Sequence, residues 1–204
     1  MTYNANVSSA TEVDLTNPAV LFYNNRASSK LYLDDVQFAK VGDVEEEPAI
    51  VRYNFEEASV PAEWTATGSS LALSTFHHTE GTQSLAWAID GDNAVLELDL
   101  GNGYAANSRN SAFFNIYSLA DTGDGLTVEF LDANDAVLKQ ANLTVNFKGW
   151  REFSRPYNEY ENTADGTVAK LRFTYNLKEG NTEPADTLFI DHMDLNYGVD
   201  NNRQ

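Results

Sequence analysis

The chain has 204 residues, no cysteine, and 13 lysine and arginine residues against 31 aspartate and glutamate residues, for a formal net charge of −18. The absence of cysteine excludes disulfide bonds, a thiol nucleophile and a thiolate zinc site, and so acidic a surface disfavours nucleic acid and anionic membranes as partners. No segment of the sequence approaches the ~20 apolar residues that a transmembrane helix needs.

The first part of the chain repeats a pattern found near its other end. Two β-rich runs within residues 1–43, at 20–24 and 30–38, resemble the runs at 173–176 and 188–195. Two closing strands with no opening strands before them predict that this part belongs to a truncated upstream sister module.

A linker is predicted at residues 44–49, where consecutive glutamates and a proline disfavour both helix and sheet. One domain is then expected over residues 50–198, with residues 199–204 as a tail.

Short alternating apolar runs fill this domain, and turn signals separate them. The predicted strands are 51–57, 84–89, 94–100, 112–118, 126–131, 136–140, 143–147, 150–154, 169–175 and 188–195. Gly101 and Gly103 predict the end of the third of these strands, and Trp87, which alternates with leucine and isoleucine, is predicted to be a core residue. Because no window has a helical period, the pattern predicts an all-β fold, an antiparallel two-sheet β-sandwich of jelly-roll type.

Several motifs resemble the frame of jelly-roll carbohydrate-binding modules. They are Phe55-Glu56 followed by Trp64, the turn from Gly81 to Ser84-Leu85, and Ile190-Asp191. A further segment, residues 147–151 with Asn158, Glu161 and Asn162 downstream, is similar to the N-terminal sandwich domain of chondroitinase ABC-type polysaccharide lyases. The resemblance covers roughly residues 50–198. It implies a non-catalytic, glycan-binding domain joined in the natural chain to a catalytic lyase domain.

The resemblance also implies a structural calcium ion. By position, its ligands would be the carboxylates of Glu56 and Asp191 and backbone carbonyls near Asn54 and Thr79. Calcium takes about six to eight oxygen ligands, and such a site would join the two ends of the domain. The alternative is that both acids are solvated side chains at strand ends.

Basic and aromatic residues supply the candidate glycan site. Six of the 13 basic residues lie between positions 148 and 178, and Lys170 and Arg172 share one face of their strand. Arginine matches the oxygens of a carboxylate or sulfate with paired hydrogen bonds. The predicted glycan-binding set is Lys148, Trp150, Arg151, Arg155, Lys170, Arg172 and Tyr175. The alternative is that these cations pair with neighbouring glutamates.

The expected ligand is an anionic glycosaminoglycan, such as chondroitin sulfate or hyaluronan. Another glycan such as alginate, or an architectural spacer that binds no glycan, remains an alternative. A β-sandwich lyase would need histidine, tyrosine and a cation in one groove, and only three histidines are present. Of these, His77 and His78 are interpreted as loop residues on a solvated edge. A secreted or periplasmic location is expected, with the signal outside this sequence.

Overall fold

The computed structural model describes residues 51–106, 110–161, 164–184 and 186–198. The sister-module strands predicted in residues 1–43, the linker 44–49 and the tail 199–204 lie outside these described residues. The described part contains one helical segment, the short 3-10 turn Tyr157–Glu159. No helix in that part is long and apolar enough to cross a membrane.

Two antiparallel sheets make up the domain, as predicted. The strands are β1 Val51–Tyr53, β2 Trp64–Thr67, β3 Ser69–Ser74, β4 Ser84–Ile89, β5 Ala94–Ala106, β6 Asn110–Ser118, β7 Gly125–Leu131, β8 Val137–Thr144, β9 Gly149–Pro156, β10 Gly166–Asn176 and β11 Thr187–Gly198. Sheet A has the order β3-β4-β11-β6-β9, with β1 paired to the second part of β11, and sheet B has the order β2-β5-β10-β7-β8.

The inner faces of the two sheets form one hydrophobic core. Leu85, Trp87 and Ile89 alternate along β4 and are buried, and the Trp87 ring meets Tyr175 of sheet B edge-on at 6.5 Å. The core position predicted for Trp87 is confirmed. Burying a large apolar side chain contributes about 2–3 kcal/mol, so the alternating residues of both sheets fix which face of each strand is turned outward.

Several local predictions differ from the structure. The opening strand ends at Tyr53 rather than at residue 57, and the strands predicted at 136–140 and 143–147 are replaced by the single strand β8. The short strands β2 and β3 were not among the predicted ones, because their serine-, threonine- and alanine-rich sequences carry a weak alternation signal. Residues 145–147 are loop rather than strand, since the N–H and C=O of Val145 bond to loop residues, including Asp124. The glycines at 101 and 103 do not end β5, which continues through a register shift opposite β10.

Two irregularities in β11 set the orientation of its side chains. The register with β6 shifts between Asp191 and Asp194 and again between Asp194 and Tyr197, and His192 has a φ of 46°. The first bulge keeps Met193 on the core side while Asp191 faces outward on the opposite side. An acidic residue is therefore held on the outer face of sheet A.

Candidate functional site

One row of side chains crosses the outer face of sheet A from edge to edge. Strand pairing places Ala72, Ala86, Phe189, Tyr117 and Trp150 side by side in that order. Neighbouring strands lie about 4.8 Å apart, so the row is about 19 Å long. Two alanines at one end are followed by three aromatic residues. The aromatic side chains are larger, so they project further from the sheet than the alanines do.

This row lies outside the core. The residues that precede or follow its members along the strands, such as Trp87 and Leu188, point inward and are fully buried. Phe189 is only 7% exposed, yet it packs outside the core cluster. Its cover is therefore a loop on the outer face rather than the opposite sheet.

His77, from the loop between β3 and β4, supplies that cover. Its ring stacks on Tyr117 with a centroid distance of 3.9 Å and an angle of 14°, and it meets Phe189 edge-on at 4.8 Å. Trp150 meets Tyr117 edge-on at 5.3 Å. We call His77, Tyr117, Trp150 and Phe189 the aromatic cluster. All of its members except Phe189 keep part of their surface exposed.

His77 lies in a loop and is partly exposed, as interpreted, but its ring packs in this cluster instead of standing free in solvent. The His78 side chain is exposed, in agreement with that interpretation.

Polar side chains lie beside the aromatic cluster. Asn115 pairs across the sheet with Glu152 on one side and with Asp191 on the other. Asn115 is partly exposed and Glu152 is exposed. Their amide and carboxylate groups can accept hydrogen bonds from hydroxyl groups of a ligand lying on the rings. The face thus combines aromatic surface with directional polar groups, as ligand sites generally do.

Asp191 ties the loop between β3 and β4 to this face. Its carboxylate is fully buried. Oδ2 accepts hydrogen bonds from the Thr79 N–H at 2.5 Å, the Thr79 hydroxyl at 2.9 Å and the Glu80 N–H at 3.0 Å, and Oδ1 accepts one from the His192 N–H at 2.8 Å. Four hydrogen bonds to one buried carboxylate fix the loop to β11.

Glu56 holds the same loop from the other end of the domain. Its Oε1 accepts hydrogen bonds from the Thr82 N–H at 2.8 Å and the Gln83 N–H at 2.9 Å. The Thr82 N–H, followed by the Thr82 hydroxyl and the Gln83 N–H, lowers the pKa of Glu56. Phe55, buried with a φ of 56°, turns the chain just before it. We call Glu56, Asp191 and residues 79–83 the acid clasp.

The acid clasp does not, as arranged, fit a calcium ion. A carboxylate has about four lone-pair sites, and those of Asp191 meet four donors, which include the Thr79 N–H and hydroxyl. The other two predicted ligands are backbone carbonyls near Asn54 and Thr79, and at Thr79 it is the N–H and hydroxyl that face Asp191. The described part of the chain contains no group of three or more histidine, cysteine, aspartate or glutamate side chains placed to hold a metal. Structural calcium stays a prediction of the resemblance.

Four of the predicted glycan-binding residues lie on or next to β9. Trp150 belongs to the aromatic cluster, and Lys148 is exposed in the preceding loop. The Arg151 guanidinium lies 5.6 Å from the centroid of the Phe147 ring, and Arg155 is partly exposed further along the strand. Arg151 pairs with the core-facing Ile116, so it lies on the opposite face of β9 from the partly exposed Trp150, and its guanidinium donates to Asn146 at 2.9 Å.

Lys170 and Arg172 lie on the outer face of sheet B, on the opposite side of the sandwich. Lys170 pairs with Asp135 at 2.8 Å, and Arg172 pairs with Glu97 at 2.9 Å and contacts Glu129 at 3.9 Å. Lys170 and Arg172 therefore form ion pairs, as the alternative interpretation held. Their partners are acidic residues distant in the sequence rather than the neighbouring glutamates. Three carboxylates around two cations leave this patch acidic, which opposes binding of a polyanion.

Tyr175 lies in the core. Its ring is fully buried against Trp87, and its hydroxyl donates a hydrogen bond to Asp124. A fully buried ring cannot contact a glycan, so the glycan-binding role predicted for Tyr175 is wrong.

Three residues of the aromatic cluster, His77, Tyr117 and Phe189, were absent from the predicted set. Phe189 lies opposite Leu188 and Ile190 in the alternation of β11, so a strand apolar on both faces was the available signal. His77 gave no signal, because its position depends on how the acid clasp folds the loop back over sheet A.

Comparison with known proteins gives a family and a fold. A family model described as "Lyase, N terminal" matches residues 51–204. A chondroitin sulfate ABC exolyase from Proteus vulgaris is 29% identical over 142 residues, which are 67% of this chain and 13% of that protein. The chain therefore spans a small part of the length of this relative.

Solved structures share the sandwich. The family 11 carbohydrate-binding module from Clostridium thermocellum, in complex with a β-1,3-1,4-mixed-linked tetrasaccharide, has a TM-score of 0.51 and 10% identity, and the match covers 74% of this chain and 98% of that one. An exo-β-agarase has a TM-score of 0.54 and 13% identity, with 69% of this chain and 24% of that one covered. Likeness at such low identity is likeness of fold.

Proposed function

Because the chain belongs to the family of lyase N-terminal domains, we propose that it is the carbohydrate-binding domain of a polysaccharide lyase and has no catalytic role of its own. Its partners in this proposal are a polysaccharide and a catalytic lyase domain in the same natural chain. The secreted or periplasmic location expected from the sequence is part of the same proposal, since an extracellular polysaccharide is reached only from outside the cytoplasm.

The aromatic row on the outer face of sheet A is the observation that carries the proposal. Sugar rings have apolar C–H faces that pack on aromatic rings, and hydroxyl edges that need hydrogen-bonding groups. Trp150 and His77 offer partly exposed rings, and Asn115 and Glu152 offer polar groups beside them. A solvent-facing aromatic group of this kind on an otherwise polar surface is typical of a binding site.

The proposed ligand is a glycosaminoglycan such as chondroitin sulfate or hyaluronan. Support comes from the relative whose name is chondroitin sulfate ABC exolyase, and from the exposed Lys148, two residues before Trp150 at the edge of sheet A. A uronate or sulfate group of a chain that packs on Trp150 would find its cation there. The net charge of −18 works against a polyanion at long range, and salt screens this repulsion beyond about 8 Å.

Calorimetric titration tests the proposal. Wild-type protein is titrated with oligosaccharides of chondroitin sulfate, hyaluronan and alginate and with a neutral mixed-linked β-glucan, beside Trp150→Ala and Arg172→Ala variants. We expect saturable binding of the glycosaminoglycans, a loss of at least about tenfold in affinity for Trp150→Ala, and unchanged affinity for Arg172→Ala. Binding of alginate or the neutral glucan alone would overturn the ligand class, and no binding of any glycan would favour an architectural spacer.

A further inference from the structure

Phe76 is the most exposed large hydrophobic side chain in the described part of the protein. It is 86% exposed, whereas the second such residue, Leu119, is 36% exposed. An isolated exposed apolar residue needs no explanation by itself. The position of Phe76 is what distinguishes it, because the residue that follows it is His77 of the aromatic cluster.

The loop that carries Phe76 is anchored on both sides of this residue. On one side, the Phe76 N–H donates to the Ser74 hydroxyl at 3.2 Å. On the other, the His77 carbonyl accepts a hydrogen bond from the Ser84 hydroxyl, and the His77 ring stacks on Tyr117. The acid clasp then holds the next turn. Phe76 is therefore presented by a fixed backbone rather than by a free loop tip.

Phe76 and His77 point in different directions. The His77 ring packs against Tyr117 and Phe189 of sheet A, while the Phe76 ring is left in solvent. The loop thus packs the His77 ring onto the sheet and leaves the ring of the preceding residue in solvent beside the same aromatic cluster.

From this geometry we infer that Phe76 is a further glycan-contacting residue, which packs as a raised wall against a chain lying on the aromatic cluster. The inference rests on the proposed function, because its ligand is the glycan bound by that face. A ring held ready by an anchored loop loses little conformational entropy on binding. It also gives the open face a side wall, which selects a chain that presents an apolar sugar face to Phe76.

The test compares four variants by glycan titration and thermal unfolding. Phe76→Ala is expected to weaken binding about tenfold without changing the unfolding midpoint, since an exposed ring contributes little to stability. Phe76→Trp, which keeps a ring, should bind like wild type. His78→Ala, an exposed neighbour in the same loop, is the matched control and should also bind like wild type. Trp150→Ala reports on the proposed function itself.

The outcomes separate the two claims. If wild type binds, Trp150→Ala fails to bind and Phe76→Ala binds within about twofold of wild type, the role of Phe76 is overturned and the proposed function stands. If wild type binds no glycan, both are overturned. Equal losses in Phe76→Ala and His78→Ala would assign the effect to the loop as a whole and would also contradict a specific role for the Phe76 ring.

Discussion

Asp124 is a buried carboxylate that joins two loops at one end of the sandwich. It accepts hydrogen bonds from the Tyr175 hydroxyl, from the Lys178 N–H at 2.8 Å and from the Asn181 amide at 2.6 Å. Burial alone would raise its pKa, but these bonds, with one from Thr122, outweigh burial and hold the pKa of Asp124 below its ordinary value. Its charged form is therefore the one that stabilises the fold.

Asp124→Asn should lower the free energy of unfolding by about 2 kcal/mol at pH 7, because the new amide donor faces groups that are themselves donors. The folded-state pKa is lowered, so the stabilisation is complete above the unfolded-state value of about 3.9 and is lost as the pH falls through the folded-state value. The difference between wild type and variant should therefore shrink below about pH 4. Urea unfolding at several pH values measures it.

Asp121→Asn is the control for that experiment, since Asp121 is an exposed aspartate nearby. It should unfold like wild type at every pH. A difference between wild type and Asp124→Asn that does not change with pH would contradict the role given to the charge.

The turn of the acid clasp depends on Gly81. Its φ is +59°, and a Cβ at this position would overlap the Glu56 carboxylate. Alanine there would have to adopt a left-handed conformation and push Glu56 off the Thr82 and Gln83 N–H groups. Gly81→Ala should therefore lower the free energy of unfolding by about 1–2 kcal/mol.

Gly91→Ala is the matched control, because no atom lies within 4 Å of a Cβ at that position. Thermal or urea unfolding should find it close to wild type. A double variant of Gly81→Ala with Glu56→Ala should lose less than the sum of the two single losses, since they remove the same contact. Additive losses would show that Gly81→Ala does not destabilise the protein by displacing Glu56 from the acid clasp.

Thermal unfolding can also test whether the acid clasp binds calcium. The resemblance predicts a structural ion, whereas a clasp filled by N–H donors holds the loop without one. With the clasp as described, the unfolding midpoint in excess EDTA should equal that in excess calcium within about 1 °C. A higher midpoint in calcium that is lost in Asp191→Asn would contradict this and support the calcium site, because an ion that binds only the folded state raises its stability.

Among the secondary-structure elements, alternation of apolar residues predicted most strands, including the first and last strands of the domain. It failed where side chains are small, as in β3, and where backbone groups bond to a loop, as at Val145. The resemblance singled out Glu56 and Asp191 as calcium ligands, and not as the hydrogen-bond acceptors of the acid clasp. The donors of the clasp could not be predicted, because every turn has backbone N–H groups and only the fold decides which of them face a carboxylate.

For the whole molecule, the assignment of strands to sheets decides which residues can act together. Trp150 and Arg172 were predicted to belong to one site, but β9 is in sheet A and β10 is in sheet B. Sequence patterns give the face of a strand and not its neighbours. The described structure therefore divides the predicted glycan site into an aromatic face with an adjoining basic edge and an ion-paired face on the other side.

The indole N–H signals of the three tryptophans report on whether a glycan binds the outer face of sheet A. Trp64 and Trp87 are buried in the core, and Trp150 is partly exposed on the outer face of sheet A. In a titration with chondroitin sulfate or hyaluronan oligosaccharide followed by 15N–1H correlation spectra, the Trp150 indole signal should shift saturably while the other two stay in place. An unmoved Trp150 signal together with shifts in the amides of Lys170 and Arg172 would place the glycan on sheet B and contradict the account.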